Sequence, residues 1–190
     1  MTNLSLIAPP AEPAVSLTEA KAYLRIGHDG EDSLIADLVA ASIARVEQTA
    51  RLALVTRLVQ VAWSCWPAGL TQGGARFPVV PVSRFRKATR VSPDGRNVDY
   101  SDRFIVAHDR LSLKGGYSLP SLQTGDQFTV EAMIGFGAAA DVPDDLKEAV
   151  LRLTSAMYSA RPMGSSNGDR GIGMPADVRA ILDARQEVRL

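Results

Sequence analysis

The sequence is poor in the residue types that carry most chemistry. Its 190 residues include one cysteine, Cys65, and two histidines, His28 and His108. A single cysteine excludes an internal disulfide framework and any zinc site built on cysteines. No uncharged stretch of about 18 apolar residues occurs, which argues against a membrane-spanning helix. The longest apolar run lies near Leu52–Val55 and is short. Neither sign of charge is in excess, with 21 Lys+Arg against 21 Asp+Glu. A strongly basic nucleic-acid-binding domain is therefore not indicated. What is present, 46% hydrophobic and 22% charged residues, suits a globular chain and not a disordered one.

The balanced total hides an alternation along the chain. Residues 1–55 hold four bases and seven acids. Residues 76–114 hold nine bases and four acids, residues 115–150 one base and six acids, and residues 151–190 six bases and four acids. Such alternation fits a subunit that meets other protein surfaces of complementary sign, and also a set of solvated faces. The basic segment 76–114 is a candidate for contact with nucleic acid.

Residues 1–15 contain Pro9, Pro10 and Pro13 and are expected as an extended arm. Ser16-Leu17-Thr18-Glu19 is a capping box, so a short helix is expected over about 16–26, ended by Gly27 and Gly30. A long helix is expected over about 31–55. Asp29, Glu31 and Asp32 sit at its positive end, and Ile35, Val39, Ile43, Val46, Ala50 and Ala53 form its apolar stripe. Ala40, Ala41 and Ala44 keep it slim enough for close packing.

From 56 to 137 the pattern becomes β-type. Short runs such as Leu58–Trp63, Phe77–Val82, Phe104–Val106 and Phe128–Ile134 alternate with turn signals. Asp94-Gly95 marks a hairpin. Helix returns over about 143–160, opened by Pro143, Asp144 and Asp145 and stopped by Arg161-Pro162. Residues 163–173 are rich in glycine and read as a flexible linker. A last amphipathic helix is expected within 174–190, with Val178, Ile181 and Leu182 on one side. Alone it is marginal in water, so it must dock on this domain or on a partner. The pattern as a whole gives an α+β fold: a small antiparallel helical core over 16–162 with a β-rich insertion between its second and third helices, and a C-terminal tail helix.

The chemical motifs do not assemble. Gly164-Ser165-Ser166-Asn167-Gly168 fits G-x-S-x-G, but a nucleophile elbow needs a strand before Ser166 and a histidine after it. His28 and His108 have carboxylate neighbours but no histidine at helical spacing, and a helix-start loop and a turn are the expected roles. Gly135-Phe136-Gly137 and Gly171-Ile172-Gly173 lack the third glycine of a dinucleotide fingerprint. Cys65, between Trp63 and Trp66, reads as a buried structural thiol, and the tryptophans as core. No catalytic, cofactor or metal constellation is expected. On strand alternation Arg84 and Arg86 point one way and Phe85 the other. With Arg90 they offer a basic strip for a channel or a neighbouring subunit.

Three segments together carry a family resemblance. Ser16-Leu17-Thr18-Glu19-Ala20-Lys21-Ala22-Tyr23-Leu24-Arg25-Ile26, followed by acids and a helix ending Val46-Glu47-Gln48-Thr49-Ala50-Arg51, is one. Val142-Pro143-Asp144-Asp145-Leu146-Lys147-Glu148-Ala149-Val150 with Tyr158 and Arg161 is the second. Met174-Pro175 through Val178, Leu182 and Arg185 is the third. In this order they resemble the head–tail connector (adaptor) proteins of long-tailed phages and related gene transfer agents. The β segment, closing on Phe128-Thr129-Val130 and Gly135-Phe136-Gly137, resembles the subgroup with a β insertion. The chain departs from the family in its glycine linker and in lacking the common tyrosine before Arg185.

The resemblance implies a structural protein of the particle neck, present in the host bacterial cytoplasm during assembly. It implies a homo-oligomeric, dodecameric ring beneath the portal protein that extends the DNA channel and receives the stopper and tail. No enzyme activity, cofactor or membrane contact is implied. The tail helix, through Val178, Ile181, Leu182 and Arg185, is the expected portal interface. Arg84, Arg86 and Arg90 are expected at the channel or between subunits, in non-specific contact with passing DNA. A nucleic-acid-binding module using 76–114 is the alternative, and a hydrolase built on Ser166 a further one.

Overall fold

The computed structural model describes residues 2–119, 121–160 and 173–187. The chain is α+β and forms two compact units. A helical unit combines residues 12–55 with the chain from Gly137 onward. A β unit combines residues 1–11 with Thr56–Phe136.

In the helical unit, α1 spans Leu17–Leu24 and opens with the expected capping box. The Ser16 hydroxyl accepts from the Glu19 N–H (3.2 Å), and the Glu19 carboxylate accepts from the Ser16 N–H (2.7 Å). The Ser16 N–H and then the Ser16 hydroxyl, both donating to the Glu19 carboxylate, hold it below its usual pKa. Helix α2 spans Asp32–Ala50 and buries Ile35, Val39, Ser42, Val46 and Ala50. The steps of four, three, four and four follow the helical period, so Ser42 takes the inward place and Ile43 lies at its flank. The Ser42 hydroxyl donates to Met157 Sδ (3.6 Å), so the buried polar group is satisfied.

Both helices end at an arginine and not at the glycines. Arg25 (φ 58°) and Arg51 (φ 53°) adopt the left-handed conformation. The Ile26 N–H reaches Lys21 O (2.9 Å) and the Leu52 N–H reaches Glu47 O (3.0 Å), closing each last turn. Gly27 has ordinary backbone, so the first helix stops before it. Because a Cβ is strained in this conformation, Arg51→Gly is expected to stabilise the protein by up to about 1 kcal/mol. A denaturant midpoint shows this as a rise; a fall would contradict it.

Helix α3, Asp144–Ser159, buries Leu146, Ala149, Val150, Leu153 and Thr154. Its Tyr158 hydroxyl donates to Glu31, tying the end of α3 to the start of α2. Gly137 (φ 146°), where the chain re-enters the unit, cannot carry a side chain. A Cβ there would run into the Asp141 carboxylate, which accepts from the Ala138 N–H (2.9 Å). Helix α4, Ala176–Glu187, packs on α2 and α3. Of the linker expected at 163–173, only Gly173 lies within the described residues, and Ser166 and Arg161 lie outside them.

The β unit holds a five-stranded antiparallel sheet in the order β1-β2-β8-β4-β5 and a three-stranded one in the order β3-β7-β6. The strands are β1 (Thr2–Ala8), β2 (Arg57–Trp63), β3 (Ala75–Arg76), β4 (Val82–Val91), β5 (Asn97–Asp99), β6 (Phe104–Ala107), β7 (Arg110–Leu113) and β8 (Gln127–Ile134). Residues 2–8, expected within an extended arm, are the edge strand paired with β2. β4 and β5 form the hairpin expected at Asp94-Gly95. The turn from β6 to β7 places His108 (φ 49°) and Asp109 (φ 62°) in left-handed backbone. Asp109 holds that turn in place: its Oδ1 accepts from the Val82 N–H (2.7 Å) and its carbonyl from the Phe77 N–H (3.0 Å).

Ladder register decides which residues are buried. Val59, Val61 and Trp63 of β2 stand opposite Ala132, Val130 and Phe128 of β8, and all six are buried. Trp63, Trp66, Phe77, Phe104 and Phe128 form one aromatic cluster, with ring centroids 4.6 to 6.4 Å apart in contacting pairs. Trp63 is therefore core, as expected, whereas Trp66 is half-buried at the edge of the cluster. Cys65 between them is exposed, correcting the buried thiol: Trp63 ends β2, and the chain turns outward before Trp66.

Candidate functional site

The candidate sites are surfaces. Among the described residues no group of three or more His, Cys, Asp or Glu side chains could hold a metal ion, and no helix is long and apolar enough to cross a membrane. His28 is exposed in the loop before α2. Beside it, Asp29 pairs with Lys21 Nζ (2.7 Å), which also reaches Asp32 (2.6 Å). The hydrogen bond to Asp29 and then that to Asp32 raise the Lys21 pKa.

Helix α4 was expected to dock on this domain or on a partner, the portal being the partner that the resemblance implies. Here it docks on its own unit. Val178 and Leu182 are fully buried, Ile181 is half-buried, and α4 lies on α2 and α3. Arg185 grips Asp145 with two donors, Nε at 2.7 Å and Nη2 at 2.6 Å. At the other end Asp177 accepts from Arg152 Nη1 (2.8 Å), whose Nε holds Glu148 (2.8 Å). The pairs that α4 makes, Arg185–Asp145 and Asp177–Arg152, are long-range in sequence, and in this state none of the four expected residues is free for a partner. The exposed side of α4 is Asp177, Arg179, Ala180, Asp183 and Ala184.

The pairs give docking a small pH dependence. The Arg185 hydrogen bond chiefly holds Asp145 below the usual carboxylate range, and the Arg152 hydrogen bond does the same for Asp177. A lowered pKa in the docked state stabilises docking above the ordinary value and is lost as pH falls through the lowered one. Amide protection of 176–187 is therefore expected to be constant from pH 7 to about 5 and to weaken only slightly below about 4, because burial of Val178 and Leu182 persists. Hydrogen exchange checks this, and a loss between pH 7 and 5 would contradict it.

The strip Arg84, Arg86 and Arg90 does not form. β4 shifts register between Val82 and Arg84 and again between Phe85 and Lys87, which breaks strict alternation. Arg84 and Arg86 are exposed. Arg90 stands opposite the buried Phe128 and pairs through Nη2 with Asp126 (2.7 Å), whose side chain is 1% exposed. Asp126 also accepts from the Gln123 N–H (2.7 Å), the main cause of its lowered pKa. Arg90 is thus a structural cation, fixed by an acid 36 positions away.

Two further surfaces went unread in the sequence. Arg76 and Arg110 stand directly opposite each other across β3 and β7, both exposed. Like charges facing across a ladder are unfavourable, and Arg110 turns away by donating from Nη1 to Gly74 O (3.1 Å). In addition, the folding of segments sorts the charge. The β unit has ten bases and six acids, and the helical unit eleven bases and fifteen acids. Ala40, Ala41 and Ala44 of α2, expected to permit close packing against a neighbour, are exposed, as is Ala36.

No protein-family model matches the sequence, and no curated protein matches it. Solved structures do share the fold. A chain in the neck of an empty GTA particle, computed with C6 symmetry, superposes with a TM-score of 0.78 at 23% identity, covering 97% of this chain and 95% of that chain. One in the virion of a native gene transfer agent (GTA) particle gives 0.78 at 24%, over 96% and 94%. One in the neck of a native GTA particle, computed with C12 symmetry, gives 0.77 at 22%, over 97% and 94%. At these identities the likeness is one of fold, and it extends over nearly the whole of each chain.

Proposed function

We propose that this chain is a structural subunit of the neck of a phage-like particle or gene transfer agent. In that role it is a head–tail connector, or adaptor. Copies form a twelve-membered ring beneath the portal protein, extend the DNA channel and give the stopper and tail their platform. The observation that carries this reading is the fold, matched almost end to end by chains of gene transfer agent necks, one of them computed with C12 symmetry. The segregation of charge between the two units supports it, because copies meeting head to tail bring opposite signs together. The role is one of assembly, not of catalysis.

In this reading α4 engages the portal after leaving its own helical unit. Val178, Ile181, Leu182 and Arg185 would then trade their contacts on α2 and α3 for equivalent ones on the portal. Arg84 and Arg86, exposed at the edge of β4, face the channel or the adjacent subunit. Co-sedimentation with the portal protein of the same particle tests the reading. Capture of this chain in the portal fraction is the expected result, and a monomer that stays behind would overturn it.

One observation favours a second reading, nucleic-acid binding by the β unit. Arg76 and Arg110 oppose each other on an exposed face, a geometry that suits backbone phosphates. Tight DNA binding by the isolated chain, falling steeply with salt, would favour it.

A further inference from the structure

The five-stranded sheet treats its two edges differently. At the β4 edge, β5 covers only Thr89–Val91. The uncovered part carries exposed Ser83, Arg84, Arg86 and Lys87 and two breaks in register. Charge and bulges of this kind discourage a foreign strand from adding. The β1 edge has one break in register, between Leu6 and Ala8, but no charge. Thr2–Ala8 contains no charged residue and no proline, and all seven residues are exposed. Leu4 (42%), Leu6 (54%) and Ile7 (47%) are large apolar side chains left in water. A long, uncharged, apolar edge is what sheets normally avoid.

β1 adds little to the core it sits on. Its ladder runs from Thr2 opposite Trp63 to Ala8 opposite Leu58, and the Ser5 hydroxyl donates to Gln60 O (3.4 Å). None of its side chains is buried. The chain that follows does not continue into the same unit. Pro9, Pro10 and Pro13 stiffen the connecting chain, which bends at Ala11 and Glu12, and Ala14 and Val15 are buried in the helical unit. A strand held almost wholly by backbone pairing, on a short stiff hinge, forms the same bonds with β2 of another copy as with its own.

We infer that β1 is exchanged between copies: Thr2–Ala8 of one copy pairs with Arg57–Trp63 of the next, and Leu4, Leu6 and Ile7 are covered at the junction. The occupant is a second copy for two reasons. The register that β1 requires is already written in this chain's own β2. The opposite net charges of the two units also draw copies together head to tail. The inference rests on the ring reading. In a closed ring each copy gives one strand and receives one, so no β2 edge stays empty.

Asn3 faces Ala62 across the ladder, within disulfide reach for facing strands. The test uses the full chain with Asn3→Cys, Ala62→Cys and Cys65→Ser, assembled with its portal protein, oxidised and run on a denaturing gel without reductant. Exchange predicts a ladder of covalently linked multimers. Assembled rings that yield only monomers with an internal disulfide would overturn exchange while leaving the ring intact. Absence of any ring would overturn both. Leu4→Asp with Leu6→Asp gives a second readout, because both sites are exposed in the single copy. Its melting temperature should not change, whereas ring assembly should be lost; unchanged assembly would overturn the inference.

Discussion

Phe128→Ala should destabilise the β unit by about 3–5 kcal/mol, the usual range for deleting a buried aromatic ring. Phe128 has no exposed surface. Its ring lies 4.6 Å from that of Trp66, 5.1 Å from Phe104 and 5.8 Å from Trp63, so the change removes three ring contacts and leaves a cavity. Each such contact adds about 0.5–1.5 kcal/mol beyond burial. Against the roughly 5–15 kcal/mol that keeps a domain folded, this is a large fraction. The two tryptophans of the chain both sit in this cluster, so their fluorescence follows the β unit alone. A denaturant curve read by fluorescence should move strongly to lower concentration. A shift worth less than about 1 kcal/mol would mean the ring is not the keystone of this core.

Leu182→Ala is the counterpart in the helical unit, with an expected loss of about 2–5 kcal/mol. Leu182 and Val178 are the fully buried side chains of α4, while its ion pairs with Asp145 and Arg152 are partly exposed. Exposed pairs contribute about 0–1 kcal/mol each, so burial dominates the docking of this helix. The variant should therefore release α4 before α2 and α3 loosen. Hydrogen exchange should show 176–187 exchanging faster while Ile35–Val46 and Leu146–Leu153 stay protected. Arg185→Ala should give a much smaller change. Equal protection of α4 in the Leu182 variant and the parent would contradict this account. Because the portal reading needs α4 to leave its unit, the same variant should also bind portal differently from the parent.

What the sequence revealed was mostly local. The Ser16–Glu19 box, the stripe through Ile35, Val39 and Val46, the Asp94-Gly95 turn and the acids of Asp144-Asp145 act within a few residues, and each stands where expected. The rest depended on partners far along the chain. Thr2–Ala8 looked like an unpaired arm because its partner, β2, begins at Arg57. Arg90 looked free because Asp126 is far from it in sequence, and Leu182 looked unhoused because α2 and α3 are distant. The breaks in β4 register moved Arg84 and Arg90 off a common face, and nothing in a period-two pattern signals them. The ends of α1 and α2 were displaced because arginines, not glycines, take the left-handed position. Burial of Cys65 was inferred from its tryptophan neighbours, whereas a turn after β2 exposes it.

On the proposed function, copies of this chain form a ring in a particle neck. Electron microscopy of the purified chain bound to the portal protein of its own particle tests it most directly. The account predicts a ring of twelve copies stacked on the portal around a continuous channel. A portal bearing no ring, with the chain left monomeric in solution, would contradict it.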